Sequence, residues 1–151
     1  MSHNFETSLE INLSAITKNL KLIKSHLKPS TKVMAVVKSN AYGSDAVKVS
    51  SHLEEIGIDY FAVAYVEEAV LLRQSGISKP ILVFYPQWKD VEDLISFNII
   101  PSVYGFDFLN FVCDQTKLLE LDSFPIHLNI NTGMNRLGFD ENEYPEVASY
   151  I

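Results

Sequence analysis

Cysteine is nearly absent from this chain: Cys113 is the only one in 151 residues. No disulfide can form within the chain, and no multi-cysteine metal motif exists. Basic charge is also scarce, with 12 Lys and Arg against 19 Asp and Glu for a formal net charge of -7. Without a basic cluster the chain has no electrostatic footprint for nucleic acid, so small molecules are the expected partners. No apolar run is long enough to span a bilayer, and Met1 to Asn12 lacks the basic start and apolar stretch of a secretory signal. The cytoplasm is the expected location. Gly-x-Gly-x-x-Gly and Gly-x-x-x-x-Gly-Lys are both missing, which removes the usual dinucleotide and nucleoside-triphosphate readings of an α/β chain. His127 alternates with apolar neighbours and has no acidic pair at ligand spacing, so it reads as structural and no metal site is expected.

What is present suffices for one domain with a real core, since 47% of the residues are hydrophobic and 11% aromatic. Thr7 to Leu13 alternates polar and apolar residues and predicts a half-exposed strand. Ser14 then caps a helix carrying Ile16, Leu20, Ile23 and Leu27, which Lys28-Pro29 ends. Further strands are predicted at Val33–Val37, Tyr60–Ala64, Pro80–Tyr85, Ile99–Val103 and Phe124–Ile130. Helices are predicted from Ser44-Asp45 to Gly57, at Val66–Ser75, Asp90–Phe97 and Phe106–Leu121, and from Glu141 to Ile151. Cys113 falls on an apolar helix face and reads as core. Glu67-Glu68 and the run Glu141, Glu143, Glu146 read as solvated helix faces. Five strands alternating with helices predict an α/β fold with parallel strands. A (β/α)8 barrel needs about 250 residues, so this chain would hold part of one.

The stretch Val33-Met34-Ala35-Val36-Val37 reads as a strand covered on both faces, and it ends abruptly in Lys38. At the carboxyl ends of barrel strands, where active sites are assembled, an amine held partly out of water becomes a nucleophile or proton acceptor. The plainer alternative is a lysine that caps a strand and reaches for solvent. Arg136 follows the last predicted strand after a short loop, which puts it on the same rim as Lys38. It can donate to an anionic oxygen, or it is a surface arginine in a turn. Tyr42 lies in the loop after Lys38, where its hydroxyl and the start of the next helix could meet a phosphate. Otherwise it covers the rim.

Val37-Lys38-Ser39-Asn40-Ala41-Tyr42-Gly43 resembles the cofactor-lysine signature of the alanine racemases. His127-Leu128-Asn129-Ile130-Asn131-Thr132-Gly133-Met134-Asn135-Arg136-Leu137-Gly138-Phe139 resembles a second signature of that family. The resemblance runs from the Leu9-Glu10-Ile11 stretch to Gly138. It implies a partial TIM-like barrel, residues 1–151 being its N-terminal portion, with the remaining barrel and a C-terminal β domain absent from this chain. It further implies a pyridoxal 5'-phosphate-dependent isomerase interconverting L- and D-alanine for peptidoglycan, homodimeric when full length. Lys38 would carry the cofactor and serve one face of the substrate, and a tyrosine from a partner subunit the other. Tyr42 would contact the phosphate, and Arg136 the phenolic oxygen. The alternatives are a racemase or aldolase of the same fold acting on another amino acid, and a non-catalytic pyridoxal-phosphate protein.

The sequence departs from the family pattern in three places. Asn129 stands where a carbamylated lysine is common, Asn131 where aspartate is usual, and Ser44 where histidine is common. Asparagine cannot carry a carbamate, so a small anion or a carboxylate from another segment is expected beside Arg136.

Overall fold

The computed structural model describes residues 7–150. Five strands, β1 (Met34–Val36), β2 (Tyr60–Val63), β3 (Ile81–Val83), β4 (Ile100–Val103) and β5 (His127–Leu128), form one sheet in the order β1-β2-β3-β4-β5. Every pairing is parallel. Sequential order with parallel pairing requires a crossover after each strand, and helices supply it. Helix α1 (Leu13–Ser25) precedes β1; α2 (Lys38–Gly43) and α3 (Ala46–Glu55) join β1 to β2. Next come α4 (Val66–Gln74), α5 (Val91–Ser96) and α6 (Phe106–Leu118), with α7 (Tyr144–Val147) after β5. This is the α/β barrel wall expected from the alternation, and its five strands are the five predicted after the first helix.

Strands β2 and β3 bury residues of both parities, Phe61, Ala62 and Val63 in one and Ile81, Leu82 and Val83 in the other. Such runs belong to strands covered on both faces. Val66, Ala69 and Leu72 of α4, Leu94 of α5, and Phe108, Leu109 and Val112 of α6 close over them. At the amino-terminal end of the strands Arg73 donates to the carbonyls of Phe97 (3.0 Å), Ile77 (2.8 Å), Lys79 (2.7 Å) and Asn98 (3.0 Å). It fastens α4 to the segments entering β3 and β4.

Several boundaries differ from expectation. Thr7 to Asn12 forms no strand, because it meets no partner strand among the described residues. Asn12, not Ser14, caps α1: its side chain accepts from Ala15 N at 3.0 Å, and Ser14 Oγ donates to the same oxygen. On α1 Leu20 is the one buried residue, whereas Ile23 is exposed. Strand β1 is not covered on both faces; it lies at the sheet edge and Val36 is exposed. The predicted Phe124–Ile130 strand contracts to His127–Leu128 plus a bridge from Ile130 to Phe139. The last helix is one turn of α7 between 3-10 turns, and Ile151 lies outside the described residues. Cys113 is half-buried and packs against the core from its margin.

Glu54 on α3 accepts hydrogen bonds from Ser78 Oγ (2.7 Å), Ser78 N (3.0 Å) and Lys79 N (3.0 Å). Burial pushes its carboxyl up, but these donors and the Lys79 charge outweigh burial and hold it below the ordinary glutamate value of 4.5. A carboxylate depressed in the folded state stabilises the fold above its unfolded value, and that contribution disappears as pH falls through the folded value. Glu54→Gln should therefore flatten part of the acid limb of stability, by roughly 1 kcal/mol after solvent screening. Urea titrations at a series of pH values from neutral downward check this; an unchanged slope would contradict it.

Candidate active site

Strand β1 ends at Val36; Val37 is buried, and the next residue is Lys38. Past Lys38 the chain makes an uncommon turn: Ser39, Asn40, Ala41 and Tyr42 all adopt left-handed helical angles, with φ of 52°, 53°, 51° and 57°. Each such residue costs roughly 1–2 kcal/mol unless it is Gly, with Asn the best tolerated. The turn persists because it is held from three sides. Ala41 N donates to Val37 O at 2.9 Å within the turn. Asn40 Oδ1 accepts from Ala46 N at 2.8 Å, tying the turn to α3. The Glu68 carboxylate accepts from Ser39 N and also from Ala64 N (2.8 Å) and Tyr65 N (3.1 Å), tying the turn to the end of β2. Strain concentrated beside one lysine and fastened by neighbouring elements is typical of functional positions.

Lys38 lines a cavity of about 580 Å³ together with Ala64, Tyr65, Phe84, Tyr85, Asn129, Arg136 and Leu137. Ala64-Tyr65 follow β2, Phe84-Tyr85 follow β3 and Asn129 follows β5, so the cavity sits at the carboxyl ends of the strands. That is where barrel enzymes place their chemistry. The aromatic wall is fixed: Tyr85 stacks on Tyr104 (centroids 5.5 Å apart) and meets Tyr65 edge-on at 6.3 Å. Tyr104 donates to Pro86 O at 3.1 Å, and burial, followed by its neighbour Tyr85, pushes its phenol up, which keeps it a donor.

Arg136 reaches the cavity from an exposed loop whose neck is pinned to β5. Asn131 N donates to Phe139 O at 2.9 Å and Phe139 N donates to Asn129 O at 2.8 Å. Phe139 is buried and packs edge-on against Phe106 at 5.1 Å. Gly138 is required at this neck: with φ of 108°, a Cβ there would lie 2.7 Å from Asn129 O and 2.9 Å from Asn131 N. Among the described residues no carboxylate forms an ion pair with Arg136.

The family model described as alanine racemase, N-terminal domain, matches residues 11–151. This chain belongs to the alanine racemase family. An alanine racemase of Thermodesulfovibrio yellowstonii is 37% identical over 88% of this chain, and an enzyme named amino-acid racemase from Enterococcus faecalis is 40% identical over 89%. The solved structure of alanine racemase from Clostridium difficile 630 superimposes with a TM-score of 0.87 at 36% identity, covering 93% of this chain. The chain spans 37% of the length of the Thermodesulfovibrio racemase and 37% of the Clostridium one.

Of the three residues singled out in the sequence, two line one cavity of this racemase-family chain: Lys38 and Arg136. Tyr42 does not line that cavity, and it is 67% exposed. The expected anion site at the start of α3 is also taken, since Asn40 Oδ1 receives Ala46 N and Asp45 Oδ1 receives Lys48 N at 3.0 Å. The bond from Lys48 N leads the effects that hold the Asp45 carboxyl below its ordinary value. A negative side chain thus occupies that helix end. Glu68 is the site residue that sequence reasoning missed. It accepts from Tyr65 N at the start of its own helix, a local bond, yet the bond from Ser39 N crosses between elements and has no trace in local spacing. Glu67, read with it as a solvated face, does stay at the surface and pairs with Lys89 at 3.4 Å.

Proposed function

We propose that this chain is the N-terminal part of a pyridoxal 5'-phosphate-dependent alanine racemase, the rest of the barrel and a C-terminal β domain belonging to the whole protein. The observation that carries the reading is Lys38 and Arg136 on one cavity at the strand ends, in a chain of this family. The donor set suits that cofactor: an amine to hold its aldehyde carbon, a guanidinium for an anionic oxygen, and the flat faces of Phe84 and Tyr85 beside them. When bound, the cofactor supplies the electron sink that acidifies the substrate's α-C–H bond. Lys38 would hold it through Nζ, and the same Nζ, when free, would take or return the substrate's α-proton on one face. The opposite face is assigned to a tyrosine of a partner subunit in a cytoplasmic homodimer.

Arg136 orients the ring through a charge-assisted hydrogen bond, and a small anion beside Asn129 balances its charge where the family's carbamate is missing. Tyr42 is assigned to the phosphate from the resemblance alone; its exposed side chain has to swing from solvent toward the cavity to do so. The product D-alanine serves peptidoglycan synthesis in this reading.

The test is chiral chromatography of L-alanine incubated with the full-length protein and pyridoxal phosphate, beside a panel of other amino acids. D-Alanine should accumulate fastest. Turnover of another amino acid in preference to alanine would favour the second reading, a racemase of broader or different specificity, which the 40% identity to the Enterococcus amino-acid racemase supports.

A further inference from the structure

The loop that carries Arg136 has few fastenings of its own. Thr132 to Arg136 are exposed, and Gly133, Asn135 and Gly138 have φ of 113°, 55° and 108°, so the backbone is neither helix nor strand. Between the neck and Arg136, one side chain collects the bonds. Asn131 Oδ1 accepts from Gly133 N and from Asn135 N, each at 3.1 Å. Asn131 Nδ2 donates to Asn135 Oδ1 at 3.0 Å and to Asp140 Oδ1 at 2.7 Å. The amide orientation is fixed, because two backbone N–H groups can only meet its oxygen.

Asp140 lies beyond the neck, and its own N–H donates to Glu143 Oε2 at 2.7 Å. The charged groups around the contact are therefore Asp140 and Glu143 on one side and Arg136 on the loop. Among the described residues no lysine or arginine is ion-paired with Asp140. A carboxylate at position 131 could still receive Gly133 N and Asn135 N, but its second oxygen would face Asp140 Oδ1 across a hydrogen-bond distance. Two carboxylates so placed must share a proton or separate.

We infer that Asn131 is the positioning residue for Arg136, and that its amide is required because the loop closes against Asp140. Resting on the cofactor reading above, the inference assigns Asn131 no contact with substrate; it holds the guanidinium where the cofactor's oxygen arrives. Asn131 and Asp140 act as one unit, a donor facing an acceptor across the loop, and the unit tolerates exchange of its members but not two acids.

The test compares wild type, N131D, N131A and the exchanged double variant N131D/D140N in the full-length protein. Pyridoxal phosphate affinity, its bound near-visible absorption band and the melting temperature are followed from neutral to acid pH. At neutral pH N131D should bind the cofactor at least about tenfold more weakly and melt lower than wild type. Both should recover on acidification, because a shared proton stabilises the folded pair at low pH and is lost as pH rises. N131D/D140N should recover at neutral pH without acid, and N131A should be impaired at every pH. The absorption band should shift in N131D as in Arg136→Leu, whereas Arg73→Ala, destabilising but remote, should leave it unmoved. A wild-type pH profile in N131D, or a double variant no better than N131D, would overturn the inference. If N131D fails to fold at neutral pH, the double variant alone decides. Absence of cofactor binding by wild type would instead remove the functional reading, while the melting profiles would still report the Asn131–Asp140 contact.

Discussion

Lys38→Ala should abolish covalent capture of pyridoxal phosphate and reduce alanine racemisation by about 10³-fold or more in the full-length protein. The size of the effect follows from two losses at once: the anchor that fixes the cofactor in the cavity, and the base at one face of the substrate. Borohydride reduction of wild type with added cofactor should leave a pyridoxyl mass on the peptide containing Lys38, and on that peptide alone. The chain has other lysines, among them Lys48 and Lys89, whose side chains are largely exposed, and they provide the internal control. Mass spread over surface lysines, or labelling unchanged in Lys38→Ala, would remove Lys38 from the site. The variant should still fold, since Lys38 makes no hydrogen bond or ion pair among the described residues through its side chain and the turn after it is held by Glu68 and Asn40.

Lys38 was legible because an apolar run that stops at a lysine is a local pattern, and the parallel sheet was legible because strands and helices alternate at regular spacing. Buried strands such as Phe61-Ala62-Val63 announce themselves by composition. The turn at 39–42 was not legible. Nothing in Ser-Asn-Ala-Tyr demands left-handed angles; they are imposed by Glu68 and by the cap at Ala46, which are distant in sequence or belong to the next helix. The same holds for Thr7 to Asn12, where alternation predicted a strand but pairing decides whether one exists. Arg136 could be placed on the rim by counting from β5. Its loop geometry could not, because that depends on Asn131 meeting Asp140 nine residues later. Tyr42 is a different case: its type and spacing suit a phosphate, but no local pattern shows that its side chain stands 67% exposed and outside the cavity lining.

The 151-residue chain assayed by itself with added pyridoxal phosphate should racemise alanine at least about 10³-fold more slowly than the full-length protein, even where it folds and captures the cofactor. Racemisation by proton exchange on two faces of a planar carbon needs an acceptor on each. Of the titratable side chains lining the cavity, Lys38 is the one suited to that task. The Arg136 guanidinium offers donors and no acceptor, and the rings of Tyr65 and Tyr85 are held in the aromatic wall by edge-on and stacked contacts, though both residues remain partly exposed. One general base is worth about 10²–10⁴-fold, so loss of the second is large enough to read in a chiral assay. Cofactor capture at Lys38 should be retained, and borohydride labelling of the same sample checks it. Labelling without turnover places the second base outside these residues. Turnover comparable to that of the full-length protein would place both bases within them, and Tyr65 or Tyr85 would then be the group to mutate.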